Sequence, residues 1–175
     1  LSDTFTVNVG APGATVDQLN SYVSAGVGKI TSAVTNTSIA DLVGLTTAAT
    51  DDITTTVATT SVTAADLVTI DGHTAVAVDA TAVTAISGGA TDFVALETAA
   101  AGGSVVLNNF DATVSGTYGV AGINALAARA TGVVAATVTE DAIADLIGPG
   151  GLSTAGTDAI SVTLAAADTI AAADL

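Results

Sequence analysis

The feature that most constrains this chain is a recurring pattern in which Ser or Thr is followed within a few residues by Asp and a large apolar residue. It begins at seven positions, of which the fifth has no Asp: Thr15, Ser38, Thr63, Thr91, Thr117, Thr139 and Thr169. Successive copies start 22 to 30 residues apart, a period typical of repeat proteins. Because a hydroxyl oxygen can accept a backbone N–H at the start of a helix, we expect each copy to begin a short helix.

Each predicted helix has an apolar side and, in most copies, a glycine near its end. Leu67 and Ile70 follow Thr63 at helical spacing, and we expect them to face the core. Ile147 has a similar place in the copy that begins at Thr139. We expect glycine to end four of these helices in the left-handed conformation, at Gly72, Gly102, Gly132 and Gly148.

Runs rich in Val, Ile and Thr follow the helical segments and predict β-strands. They cover residues 29–38, 52–62, 75–87, 104–115, 132–139 and 159–167. Two of them contain a polar break near the middle, at Asp79 and at Asn108 with Asn109, which indicates two short strands joined by a corner. One unit then consists of a cap, a short helix, a strand, a corner and a second strand.

A unit of about 25 residues cannot bury its own apolar face, so neighbouring units must stack. The sequence therefore predicts a repeat solenoid, specifically a parallel β-solenoid with a short capped helix in most coils, an α/β solenoid. We expect residues 1–175 to form a single segment of about six to seven such coils. Because the chain has no starting Met and ends within a repeat, we expect it to be a piece of a longer protein.

Composition limits the partners of this protein. The sequence has seventeen acidic residues and only two basic ones, Lys29 and Arg129, so its formal net charge is −15. This charge excludes nucleic acid and anionic membranes as expected partners. No uninterrupted apolar run is long enough to insert in a membrane. The absence of Cys excludes disulfides, and the shortage of aromatic residues predicts a thin core of small and β-branched side chains.

The stretch from Ser61 to Phe93, "SVTAADLVTIDGHTAVAVDATAVTAISGGATDF", resembles the repeats of very long secreted Ala/Thr/Val/Asp-rich solenoid proteins of cyanobacteria and other aquatic bacteria. The likeness is partial over residues 142–147 and 170–175. It implies an extracellular protein of the surface-layer, adhesin or filament type, a class that often carries calcium-binding repeats. The calcium motif G-G-x-G-x-D is absent here, so the resemblance transfers no calcium ligand to this chain.

Asp66, Asp71 and His73 are the most suggestive group for a metal or acid–base site, because His73 is the only histidine. A metal site would need further His or Cys ligands, and the corresponding turns of other copies contain no His. We therefore favour a solvated imidazole at a helix end over a site.

The aspartates of the repeat form a second candidate, a ladder that could bind calcium: Asp41, Asp66, Asp92, Asp145 and Asp174. Their positions at predicted helix starts favour capping over calcium binding. Thr-rich runs such as residues 52–56 do not recur in register, which disfavours ice binding, and Lys29 lies too far from Arg129 along the chain for a polysaccharide-cleaving cluster. We assign no catalytic, cofactor-binding or metal-binding residue, and calcium is the one cofactor left open.

Together these patterns predict a non-enzymatic structural protein that is extracellular or on the cell surface. We expect a segment of a filament, surface layer or adhesin stalk that self-associates end to end or laterally through its stacked coils. The alternative is a calcium-dependent adhesin module that binds glycan or another cell.

Overall fold

The computed structural model describes residues 5–140, 144–147 and 149–164. These residues form ten strands and six helices. In chain order they are β1 (Val7–Asn8), α1 (Val16–Ser24), β2 (Ile30–Ala33), α2 (Ile39–Leu42), β3 (Asp52–Thr54), β4 (Ser61–Thr63), α3 (Ala64–Asp71), β5 (Val78–Ala80), β6 (Ala85–Gly89), α4 (Ala90–Gly102), β7 (Val105–Leu107), β8 (Asp111–Thr117), α5 (Val120–Arg129), β9 (Val134–Glu140), α6 (Ala144–Ile147) and β10 (Ala159–Leu164).

The described strands form three separate sheets in which every pair of neighbours is parallel. Their orders are β1-β2-β3, β10-β9-β8-β6-β4 and β5-β7. Parallel neighbours need a crossover connection, and in the five-stranded sheet helices α3, α4, α5 and α6 lie on the successive crossovers. The sheets therefore arise from local strand–helix–strand connections.

The prediction of a repeat β-solenoid of about six to seven coils over residues 1–175 is wrong, and the chain is a small α/β protein. Its described strands divide into sheets of three, five and two strands, and β5 and β6, which both begin within the run 75–87, belong to different sheets. Its helices are also unequal, from four residues in α2 to thirteen in α4. Because packed helices need about 8–10 Å and paired strands only about 4.8 Å, helices as long as α4 do not stack uniformly at the strand spacing.

Three predicted helix starts are confirmed. In each, the hydroxyl oxygen accepts the N–H of the residue three positions later: Thr15, Ser38 and Thr63. At α1 the bond is reciprocal, because the Thr15 N–H donates to the side-chain carbonyl of Gln18 at 2.9 Å. These local capping bonds satisfy N–H groups that have no partner inside the helix.

Three other predicted starts are wrong. Helix α4 begins after Gly89, whose N–H donates to the Asp92 carboxylate at 3.1 Å, so Thr91 lies inside the helix. Helix α5 begins after Gly119 and not after Thr117, and Thr139 lies within β9. The Asp92 carboxylate performs the capping that was expected of a hydroxyl. The last predicted start, Thr169, lies outside the described residues.

The glycine prediction is wrong in its conformation. Gly72 follows α3 with a φ of −64°, in the right-handed region. Helix α4 includes Gly102, and the left-handed residue is the next one, Gly103, with a φ of +79°. Gly132 does not have a positive φ, and Gly148 lies outside the described residues.

The core is built largely from Leu, Ile, Val and Ala, with two fully buried aromatic rings, Phe93 and Phe110. Leu67 and Ile70 are fully buried, as their spacing predicts. Ile147, by contrast, is 60% exposed, so its predicted core position is wrong.

Two threonines are buried near the core in contrasting ways. The Thr74 hydroxyl accepts the Ile53 N–H at 3.1 Å and donates to the Ile53 carbonyl at 2.6 Å. The Thr55 hydroxyl has no hydrogen-bond partner among the described residues, although it is fully buried. Burial without a partner is unfavourable for a hydroxyl.

Candidate functional site

The structure does not bring Asp66, Asp71 and His73 together as a site, because each has separate partners. The Asp66 N–H is held by the Thr63 cap at the start of α3. The Asp71 carboxylate, at the end of the same helix, accepts the hydroxyl of Ser104 at 3.0 Å. Within the described part of the chain, these three side chains do not form a group that could hold a metal ion.

His73 forms a reciprocal pair with Thr47. Its Nδ1 lies 2.6 Å from the Thr47 carbonyl oxygen, while the Thr47 hydroxyl donates to the His73 carbonyl at 2.7 Å. Because a carbonyl oxygen can only accept, Nδ1 carries a proton. The imidazole is thus partly buried and joins two turns, which is a more specific role than the solvated helix end that the sequence indicated.

The aspartates proposed as a calcium ladder also act one by one. The Asp41 carboxylate accepts the Ser38 hydroxyl at 2.8 Å and the Asn36 side-chain amide at 3.1 Å. These two bonds, the one from Ser38 first, hold the pKa of Asp41 below its usual value. Asp92 caps α4, as described above, Asp145 lies exposed in α6, and Asp174 lies outside the described residues.

Within residues 5–140, 144–147 and 149–164, no three His, Asp or Glu side chains form a group that could hold a metal ion. The polar hollow between the starts of α1 and α2, of about 340 Å³, illustrates why. Asp17 and Asp41 line this hollow, but Asp41 already accepts a hydrogen bond from the side-chain NH₂ of Asn36. The side-chain oxygen of Asn36 in turn accepts the Val16 N–H.

Two aspartates that sequence reasoning missed connect neighbouring strands. Asp51 accepts the N–H of Ile30, in β2, at 2.7 Å and the N–H of Ala48 at 2.8 Å. Asp158 repeats this arrangement with the N–H groups of Val134, in β9, and Ala155, both at 2.8 Å. The shared spacing A-x-x-D before a strand is a signal that could have found them. Each carboxylate satisfies a backbone donor at the start of the preceding strand.

Asp111 acts in a related way and explains Gly132. Its carboxylate accepts the Val133 N–H at 2.7 Å, close to the backbone of Gly132. A Cβ at position 132 would overlap that carboxylate and lie 2.8 Å from the Phe110 carbonyl oxygen. Glycine is required there for close approach and not for a left-handed turn.

Two asparagines fasten helices to later loops with the same chemistry. The Asn20 amide, on α1, donates to the Gly44 carbonyl at 2.8 Å, and its oxygen accepts the Thr46 N–H at 2.9 Å. The Asn124 amide, on α5, donates to the Gly151 carbonyl at 2.9 Å, and its oxygen accepts the Ser153 N–H at 2.7 Å. Many polar side chains of the described chain therefore hold backbone in place.

Both basic residues are engaged in ion pairs. Lys29 lies 2.8 Å from the Asp52 carboxylate at the surface, and the Arg129 Nε lies 3.0 Å from Glu97. The two pairs involve different elements, so they do not form the basic cluster that binding of an acidic polymer would need.

A mostly apolar groove of about 580 Å³ lies between α4 and α5. Small side chains, or none, line much of it: Val94, Ala101, Ala121, Gly122 and Ala125. Its polar groups come from Tyr118, from the pair Glu97–Arg129 and from Thr98, whose hydroxyl donates to the Val94 carbonyl. The groove exists because small residues on both helices leave space between their axes. Helical periodicity alone did not indicate it.

Strand β10 forms one edge of the five-stranded sheet. It pairs with β9 over six residues, from Ala159 opposite Ala135 to Leu164 opposite Glu140, and β9 is its only neighbour among the described strands. None of its six residues is charged. Ser161, Val162 and Thr163 are all exposed.

No helix among the described residues has both the length and the apolar character needed to cross a bilayer. Comparison of the chain with protein-family models, with curated proteins and with solved structures finds no match. The resemblance of Ser61–Phe93 to secreted repeat proteins therefore stays a prediction, and functional conclusions depend on the geometry of the groove and of the β10 edge.

Proposed function

We propose that this protein is a non-enzymatic structural protein of the cell surface or extracellular space that self-associates through exposed strand edges. The observation that carries the proposal is the outer edge of β10. A strand edge presents unpaired N–H and C=O groups that can pair with a strand of another molecule. The resemblance of Ser61–Phe93 to secreted surface and filament proteins supports the location.

The composition of β10 favours such pairing. Proteins commonly protect an exposed edge with Lys, Pro or an inward-pointing charge, and the β10 sequence "AISVTL" has none of these. Ile, Val and Thr also favour extended backbone. Because β10 has no charged side chain, its edge adds no local charge to the repulsion between two copies of a chain with a net charge of −15.

A second edge permits growth beyond a dimer. β1 forms one edge of the three-stranded sheet, with β2 as its neighbour. Association between two different edges is head-to-tail and can continue into a polymer, whereas pairing of one edge with itself ends at a dimer. Filament or layer formation is therefore the expected outcome.

A matched pair of lysine substitutions tests the proposal on the full chain. Ser161→Lys places a charge on the β10 edge, and Ser24→Lys makes the same change at an exposed position of α1. We expect the unmodified protein and Ser24→Lys to form oligomers or polymers in sedimentation velocity and electron microscopy. Ser161→Lys should remain smaller at the same concentration.

Two results would contradict the proposal. One is a monomeric unmodified protein at every concentration tested, and the other is assembly of Ser161→Lys that equals that of Ser24→Lys. Circular dichroism of each variant confirms that its secondary structure is retained. The alternative function, calcium-dependent binding of glycan or a cell, has no specific supporting observation in the described part of the chain.

A further inference from the structure

The α4–α5 groove contains a tyrosine whose hydroxyl is available to a ligand. Tyr118 is only 7% exposed and lines the groove, but its hydroxyl forms no hydrogen bond to any residue that the structure describes. Its ring lies over Gly122, where a Cβ would overlap it. Most of the side chain is buried, but its hydroxyl is not among the buried polar atoms that lack a partner, so it is accessible and can donate to a molecule that enters the groove.

The surroundings of the Tyr118 hydroxyl determine its protonation state. Burial, and secondarily the nearby Glu97 carboxylate, raise the pKa of Tyr118 above its usual value. The phenol is therefore protonated at neutral pH and can donate a hydrogen bond.

Arg129 adds further donors at the same groove. Its Nε donates to Glu97 at 3.0 Å, which accounts for one of the five N–H donors of a guanidinium. The two terminal amino groups form no hydrogen bond with the described residues and can bind an oxygen pair in a planar, bidentate manner. The polar part of the groove thus contains the donors of Tyr118 and Arg129 beside the Glu97 carboxylate, whose charge Arg129 balances.

We propose that the groove between α4 and α5 binds a small monocarboxylate with an apolar body. The carboxylate accepts hydrogen bonds from Tyr118 and Arg129, and the apolar body lies along Val94, Ala121 and Ala125. A mostly apolar groove of about 580 Å³ that a few polar groups line is typical of small-ligand sites. This site is separate from the β10 edge, so the two proposals can be tested independently.

Titration calorimetry with three probes of equal chain length tests the proposal. Octanoate, octanol and octylamine share an apolar body and differ in the head group. We expect saturable one-to-one binding of octanoate, weaker binding of octanol and no binding of octylamine. Tyr118→Phe, which keeps the ring, should weaken octanoate binding about fivefold, and Arg129→Gln about tenfold, without a comparable effect on octanol.

A matched pair of leucine substitutions locates the site. Ala125→Leu fills the groove from an exposed position of α5, and Ala128→Leu makes the same change at an exposed position outside it. Alanine and leucine have similar helix propensities, so both variants should fold. Circular dichroism checks this. We expect Ala125→Leu to abolish octanoate binding and Ala128→Leu to retain it.

Several outcomes would overturn the proposal. Octanoate that binds Ala125→Leu as well as the unmodified protein would show non-specific association. If octanol binds as tightly as octanoate, the groove does not recognise the carboxylate. If none of the probes binds saturably, the groove is not a small-ligand site. If no octanoate binds and Ala125→Leu lowers the oligomeric state in sedimentation, the groove is a contact between copies of the chain.

Discussion

Val138 and Val162 lie directly opposite each other in neighbouring strands, yet Val138 is fully buried and Val162 is 45% exposed. The two residues have the same side chain and are paired with each other. They differ in position, because among the described strands β9 has neighbours on both sides and β10 has a neighbour on one side. The difference in exposure between Val138 and Val162 shows that the side chain on the edge strand packs against fewer apolar neighbours.

The same substitution at these two residues should have unequal effects. We expect Val138→Ala to lower the free energy of unfolding by about 2 kcal/mol, because it removes buried methyl groups and leaves a cavity. Val162→Ala should cost about 0.5 kcal/mol or less in the monomer. Urea denaturation monitored by circular dichroism measures both, and equal losses would mean that β10 is covered as well as β9.

Neighbouring aspartates should also differ. Asp51→Ala leaves the Ile30 and Ala48 N–H groups without their acceptor, and Asp51 is only 3% exposed, so we expect a loss of about 3 kcal/mol. Asp52→Ala breaks only the partly exposed pair with Lys29 and should cost less than about 1 kcal/mol. Urea unfolding midpoints test the order, and a larger loss for Asp52→Ala would refute the assigned role of Asp51.

The two buried threonines give a test in which the sign of the change is diagnostic. Thr55→Val replaces a buried hydroxyl that lacks a partner, and we expect stabilisation of about 1 kcal/mol. Thr74→Val removes the acceptor of the Ile53 N–H and should destabilise by about 2 kcal/mol. The melting temperature should rise for the first variant and fall for the second. A fall for Thr55→Val would indicate that its hydroxyl is hydrogen-bonded.

Tyr118 gives a prediction about pH. Its pKa lies above the ordinary value of 10.0, chiefly because of burial and then because of Glu97. For a group whose pKa is raised by folding, the contribution to stability is complete below the ordinary value and is lost as the pH rises through the folded value. We expect stability to decline in this alkaline range.

A phenolate absorption titration isolates this effect. In a Tyr22→Phe variant Tyr118 is the only tyrosine, and its ionisation midpoint in the folded protein should lie above that in urea. Glu97→Gln should lower the midpoint part of the way, because burial remains. A folded midpoint equal to the unfolded one would show that Tyr118 is not in a buried environment.

Local features of the fold are predictable from this sequence. The caps at Thr15, Ser38 and Thr63 depend on residues three positions away, and the burial of Leu67 and Ile70 follows from spacing within one helix. The start of α4 shows the limit of such reasoning, because Asp92 and Thr91 are both plausible caps and only the backbone geometry decides between them.

Features that depend on distant partners were not predictable. Asp51 owes its role to Ile30, which lies 21 residues earlier, and His73 owes its position to Thr47, 26 residues earlier. The division of strands among three sheets likewise depends on pairing over long separations, which a periodic pattern does not specify. The repeat pattern located most of the elements, but not β1 or three of the helix starts, and it gave the wrong assembly of them.

For the proposed self-association through the uncharged edge of β10, the net charge of −15 has a consequence for the conditions of assembly. At an ionic strength of about 0.01 M, repulsion between two copies extends over about 30 Å and opposes their approach before any strand edges meet. At about 0.15 M this range falls to about 8 Å, which is less than twice the spacing of about 4.8 Å between paired strands. Dissolved salt would then act as the trigger that converts dispersed copies into an assembly.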